Sequence, residues 1–119
     1  MTLHERRIGD VTIIDIDGRI TVQDGADLFR DAVRQLVRQD RVKLVLNLHD
    51  TPYIDSTALG EIIRTYTSAV RKGGSLKLLN VTTHVHQLLV ITRLLTVFDL
   101  FDDEAEAVKS FGVPFIGQR

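Results

Sequence analysis

At 119 residues the chain is near the common size of one domain and can bury roughly two thirds of its unfolded surface, so neither a disulfide nor a metal is needed for folding. It has no cysteine, which excludes thiolate metal sites, a disulfide framework and a cysteine nucleophile. Its formal net charge of -1 argues against a broad electrostatic footprint for nucleic acid. The start, Met1-Thr2-Leu3-His4-Glu5-Arg6-Arg7, has no apolar core of a signal peptide, and no apolar run approaches membrane-spanning length. A soluble cytoplasmic protein is expected.

Val11-Thr12-Ile13-Ile14-Asp15-Ile16 is rich in β-branched residues and predicts a strand that Gly18 closes. Gly9-Asp10 predicts a hairpin turn to an edge strand over residues 3–8. Asp24 is the expected N-cap of a first helix, with Asp27 in its opening turn. That helix places Leu28, Phe29, Ala32, Val33, Leu36 and Val37 on one broad face. Arg30, Arg34 and Arg38 fall on the other face, with Asp27 and Asp31 spaced for ion pairs.

The apolar run Lys43-Leu44-Val45-Leu46-Asn47-Leu48 predicts a buried strand. After a loop over residues 49–54, Leu59, Ile62, Ile63, Tyr66 and Val70 recur at helical spacing, and Gly73-Gly74 ends that helix. Ser75-Leu76-Lys77-Leu78-Leu79 alternates as a strand. Thr82 or Thr83 caps a third helix carrying Val85, Leu88 and Leu89. Thr96-Val97-Phe98 is expected as a short last strand, and Asp102-Asp103-Glu104 opens a final helix through Val108. The tail over residues 111–119 is expected to be irregular.

This order is α/β. It predicts one mixed sheet of about four to five strands whose later members are parallel, with the helices packed mainly on one face. Functional loops of such sheets lie beyond the carboxyl ends of the strands. Residues 18–24 and 49–55 both occupy that edge and are neighbours if their strands pair.

Several chemistries fail on these residues. There is no G-x-G-x-x-G or G-x-x-x-x-G-K phosphate cradle, and Ile54 and Ala58 occupy the glycine positions of a nucleophile elbow around Ser56. His84 and His86 are two apart on a helix and face apart, so no metal site is expected. Asp15 and Asp17 read as one solvated sheet face. No histidine but His49 lies in a loop adjacent to Ser56 and no oxyanion motif is evident, so an enzyme is not expected.

Asp55-Ser56-Thr57-Ala58-Leu59-Gly60 stands where a loop becomes a helix. Ser56 is the expected N-cap, with Asp55 favouring the dipole. The same place suits a regulatory phosphate, which would meet free N–H groups and the positive helix end.

Leu44-Val45-Leu46-Asn47-Leu48 followed by Tyr53-Ile54-Asp55-Ser56-Thr57-Ala58-Leu59-Gly60 resembles the signature of the STAS domain, most closely that of bacterial anti-sigma-factor antagonists. The resemblance spans nearly the whole chain as one STAS domain. It implies partner switching: the unphosphorylated protein binds an anti-sigma factor, which is also a serine kinase, and a serine phosphatase reverses the phosphorylation. Ser56 matches the phosphoacceptor, Thr57 is a rival hydroxyl, and Asp55 matches the acid that handles partner and phosphate. Thr21 stands where the family often has an acid, and Ala58 replaces its usual glycine. Partner contact is expected on the exposed side of the second helix, through Thr57, Glu61, Arg64, Thr65 and Ser68, with Thr21 and Asp24 of the preceding loop. No cofactor is expected, nor any nucleic-acid or membrane partner. The same domain also serves as a scaffold in stress-sensing assemblies and as a subunit of lipid-transport ABC systems.

Overall fold

The computed structural model describes residues 1–112. In chain order the elements are β1 (Thr2–Ile8), β2 (Val11–Asp17), α1 (Ala26–Arg38), β3 (Lys43–Asp50), α2 (Ser56–Arg71), β4 (Ser75–Leu79), α3 (Thr83–Ile91), β5 (Leu100–Phe101) and α4 (Glu104–Gly112). The strands form one five-stranded sheet in the order β1-β2-β3-β4-β5. β1 and β2 are an antiparallel hairpin closed at Ile8↔Val11. The pairs β2–β3, β3–β4 and β4–β5 are parallel. This is the mixed α/β sheet that the element order predicts.

The sheet is covered on both sides, which explains why β2, β3 and β4 read as nearly unbroken apolar runs. Ile14, Ile16, Leu44, Leu46, Leu48, Leu76 and Leu78 meet Phe29, Val33 and Leu36 of α1, Ile62 of α2, and Val85 and Leu89 of α3. On the opposite side Val11, Ile13, Val45 and Leu79 meet Ala107 of α4. Residues alternate between the two layers because strand side chains point to opposite faces.

The α4 side carries a polar network that the sequence reading misses. Asp15 is not on a solvated face. Arg6 donates to it from Nε at 2.6 Å and from Nη2 at 3.0 Å, and Asn47 adds a third hydrogen bond at 2.9 Å. The same Arg6 fork reaches Glu104 at the start of α4, at 2.6 and 3.2 Å. The hydrogen bond from Arg6 holds the Asp15 carboxyl below the usual carboxylate range.

Other boundaries differ for identifiable reasons. The last strand is Leu100–Phe101, not Thr96-Val97-Phe98. Phe98 is buried and meets the Tyr66 ring edge-on, with centroids 5.3 Å apart, so its segment serves packing while Leu100 and Phe101 pair with β4. β-Branched propensity alone could not separate these roles. α4 runs to Gly112 and so takes in Phe111, and Asp103 caps it by accepting the Glu106 N–H at 3.1 Å. The rest of the tail, residues 113–119, lies outside the described residues. Leu28 is exposed, because the apolar face of α1 is narrower than the sequence suggests.

At the end of α2, Gly74 is required by close approach: a Cβ there would overlap the Val42 carbonyl, which accepts the Ser75 N–H at 2.9 Å. No helix among the described residues is long and apolar enough to cross a membrane.

Candidate functional site

The β2–α1 and β3–α2 loops lie side by side because β2 and β3 are parallel neighbours. Their backbones extend that pairing past the strand ends. Gly18 N–H donates to the Asp50 carbonyl at 2.9 Å, Ile20 N–H to the Tyr53 carbonyl at 3.1 Å, and Asp55 N–H to the Ile20 carbonyl at 3.1 Å. Ile20 and Ile54 are both buried beneath this junction.

Asp55 ties the junction together. It adopts an extended conformation (φ -98°, ψ -179°) and is the N-cap of α2. Its Oδ1 accepts the Ala58 N–H at 2.9 Å, and its Oδ2 accepts the Val22 N–H of the other loop at 2.7 Å. Both carboxylate oxygens are therefore engaged by backbone donors. The assignment of Ser56 as the N-cap is corrected: the cap must sit outside the helix with a side chain reaching two or three residues ahead, and Asp55 meets that condition. Ser56 is instead the first helical residue, exposed, and its hydroxyl makes no hydrogen bond among the described residues. Thr57 is exposed beside it.

The first helix opens differently, and Asp24 is not its N-cap. Gly25 holds that position at φ +95°, a left-handed conformation that glycine reaches without penalty, and no side chain caps the end. The Thr21 hydroxyl accepts the Asp24 N–H at 3.1 Å, and the Thr21 carbonyl accepts the Ala26 N–H at 3.1 Å, so the loop closes on Thr21. The exposed Asp24 carboxylate accepts from the Met1 amino group at 3.3 Å. The Met1 backbone lies against Gly18 and its side chain against Gly25.

Thr21, Asp24 and Asp55 come together with Arg19, Val22, Gln23 and Tyr53 around an open recess of about 450 Å³. Glu61 and Arg64 do not join it. They pair with each other at 3.3 Å and line a separate groove of about 320 Å³ between α1 and α2. The expectation of a solvated row is corrected at two positions. Thr65 is buried, its hydroxyl donating to the Glu61 carbonyl at 2.8 Å, and the Glu61 side chain is only 13% exposed. Both lie where α2 packs against α1.

Residues that the sequence reading did not assign to the site lie in and beside it. The Tyr53 ring stacks on His84 with centroids 4.5 Å apart, and the Arg19 guanidinium lies 5.6 Å from the Tyr53 centroid. Thr82 stands at the N-cap of α3, yet its hydroxyl donates to the Thr51 carbonyl at 2.8 Å instead of capping. Buried Thr51 donates in turn to the Ile16 carbonyl at 3.1 Å. An aromatic residue two before Asp55 is a local signal for Tyr53; nothing local signals His84, which arrives from α3. Among the described residues no cluster of His, Asp and Glu suits a metal ion.

These features agree with what the chain resembles across its length. The family model of the STAS domain matches residues 3–107, and the chain belongs to that family. Over 87 residues, 73% of this chain and 78% of its relative, it is 34% identical to the anti-sigma-B factor antagonist of Bacillus subtilis (strain 168). It is 26% identical over 104 residues to the anti-sigma F factor antagonist of Paenibacillus polymyxa, covering 87% of this chain and 88% of that one. Its fold matches Bacillus SpoIIAA, an anti-sigma factor antagonist solved in unphosphorylated and phosphorylated forms, with TM-scores of 0.70 and 0.74, covering 92% of this chain and 96% and 98% of those. At 14% identity that likeness concerns the fold alone.

Proposed function

We propose that this chain is an anti-sigma-factor antagonist in a partner-switching pathway. Unphosphorylated, it binds an anti-sigma factor with serine kinase activity; phosphorylation at Ser56 releases it, and a serine phosphatase restores it. The observation that carries this reading is the contrast between adjacent residues. Asp55 has both carboxylate oxygens committed to the fold, whereas the Ser56 hydroxyl is exposed and makes no hydrogen bond among the described residues. A kinase can take that hydroxyl without dismantling the helix start.

Transfer of the γ-phosphoryl group from ATP to Oγ of Ser56 releases ADP and a proton. ATP and its metal ion belong to the kinase, and this chain supplies the acceptor and no catalytic group. A phosphate adds about two negative charges beside Asp55, and the first-turn N–H groups and helix dipole offset them. The folded domain therefore tolerates the modification, whereas a partner surface packed over Ser56 must desolvate the new charge. A loss of about 2.7 kcal/mol weakens binding roughly a hundredfold. The recess formed by Thr21, Asp24 and Asp55, with exposed Val22 and Tyr53 on its rim, is the surface the partner would cover. Such a pathway operates in the cytoplasm, with this protein acting as a single STAS domain.

The test uses Ser56→Ala and Ser56→Asp with the anti-sigma factor of the same organism. Ser56→Ala should bind it without ATP and gain no phosphate with ATP, read by mass spectrometry. Ser56→Asp should bind at least about tenfold more weakly. Phosphate on Thr57 or on neither residue, together with wild-type binding by Ser56→Asp, overturns the assignment.

A further inference from the structure

A tight turn closes the β2–α1 loop. Thr21 N–H donates to the Asp24 carbonyl at 2.8 Å, and Asp24 N–H returns to the Thr21 carbonyl at 3.1 Å. Val22 and Gln23 therefore stand at the tip, both exposed. Val22 is 62% exposed, and among the large apolar residues described only Ile91, at 77%, is more open to solvent. A single exposed apolar side chain is ordinary. What sets Val22 apart is its backbone. Its N–H donates to Oδ2 of Asp55 at 2.7 Å, across 33 residues of sequence. Among the described residues, no other large exposed apolar residue has its N–H held by a side chain.

A held backbone and a stiff side chain together fix a direction. Valine is β-branched and restricted at χ1, so a pinned backbone presents its methyl groups in few orientations. Tyr53, which lines the same recess, is ordered as well, by the stack on His84 at 4.5 Å and the Arg19 guanidinium at 5.6 Å. Side chains ordered before association lose less entropy when a partner closes over them. Ile91 has no such setting: it is the last residue of α3 and lies outside the recess. Capping α2 occupies only Oδ1 of Asp55, which accepts the Ala58 N–H at 2.9 Å. Oδ2 is left to hold the loop tip.

We propose that Val22, with Tyr53 of the same recess, is the apolar anchor that the anti-sigma factor receives in an apolar pocket, and that Asp55 is the positioning residue that aims Val22. This rests on the anti-sigma-antagonist reading and adds to it the chemistry of the contact. Ser56 follows Asp55 in the chain, so the anchor and the phosphoacceptor are joined through one side chain.

The test titrates the anti-sigma factor of the same organism, without ATP, against variants of the full chain. Val22→Ala should weaken binding about tenfold, the effect of losing two buried methyl groups. Val22→Thr, equal in shape but polar, should weaken it too, and Ile91→Ala should leave it unchanged. Asp55→Asn keeps a capping oxygen for α2 and removes the acceptor of the Val22 N–H, so it should weaken binding about fivefold. In a Val22→Ala background the same change should cost less than about twofold, because no anchor is left to aim. An Asp55 that touched the partner directly would give equal losses in both backgrounds. Should Asp55→Asn melt below the wild type, replacing Val22 by its α-hydroxy acid removes the N–H alone and should weaken binding to the same extent. Wild-type binding by Val22→Ala, an equal loss in Ile91→Ala, or additive losses in the double variant overturns the proposal. A dimer of the isolated chain that Val22→Ala dissolves also overturns it, assigning Val22 to a second copy. If the wild-type chain does not bind the anti-sigma factor at all, the functional reading falls and the anchor with it; binding that these variants leave unchanged removes the anchor alone.

Discussion

The two loops that meet at the site open their helices by different means. Before α2, a side chain does the work: Asp55 caps the helix and binds the neighbouring loop through Val22. Before α1, the backbone does it: Gly25 turns at φ +95° and no side chain caps the end. Each loop contains an acid just ahead of its helix, yet Asp24 is exposed and holds only the Met1 amino group, while Asp55 is enclosed by backbone donors. An acid before a helix thus has no fixed role; the conformation of the intervening residues decides it.

The largest effect is expected where the backbone carries the burden. Gly25→Val places a β-branched residue in a left-handed conformation, costing about 1–2 kcal/mol. Its Cβ would also meet the Met1 side chain at 2.5 Å. Overpacking of that kind adds about 1–3 kcal/mol. Together these should lower the melting temperature by roughly 10 °C. A melt unchanged from wild type would mean that the α1 start tolerates a side chain and that the contrast between the loops is false.

Asp55→Ala should come next. It removes the cap, worth about 1 kcal/mol, and leaves the Val22 N–H without its acceptor, worth about 1 kcal/mol more. Asp55→Asn sharpens the comparison, because asparagine caps as well as aspartate yet offers only one acceptor oxygen. Native-state hydrogen exchange should show the Ala58 and Val22 amides both losing protection in Asp55→Ala, and mainly Val22 in Asp55→Asn. If Val22 stays protected in both, the carboxylate does not join the loops.

The same comparison explains what was legible in the sequence. Hydrophobic period and punctuation locate β1 to β4 and the first three helices within a few residues, because those signals are local: Gly9-Asp10 for the hairpin, Gly73-Gly74 for the end of α2, Val85 with Leu89 for α3. The Asp55-Ser56 motif locates the site for the same reason. What was not legible depends on contacts distant in sequence. Asp15 looks like a solvated acid until Arg6 donates to it from 9 residues away and bridges it to Glu104, 98 residues from Arg6. Thr65 looks polar and surface-bound until α1 covers it. Which residue caps α2 was nearly legible, since either Asp55 or Ser56 is a favoured cap, and a one-residue shift changes which side chain is free.

That one-residue shift gives the smallest and most informative prediction. Were Ser56 the cap, Ser56→Ala would cost about 1 kcal/mol, or roughly 4 °C in a domain of this size. With Asp55 capping and the Ser56 hydroxyl unbonded, the change should stay within about 0.5 kcal/mol, the range of ordinary surface substitutions. Ser56→Asp should be equally mild or slightly stabilising, because an acid in the first turn meets the positive end of the helix dipole. Asp24→Ala, the corresponding test at the other loop, should also stay within about 0.5 kcal/mol, since an exposed ion pair contributes little. Thermal melting of the three variants, each without a partner, separates the alternatives. A drop of roughly 4 °C in Ser56→Ala alone would return the capping role to Ser56 and remove the freedom of its hydroxyl on which the switch reading depends.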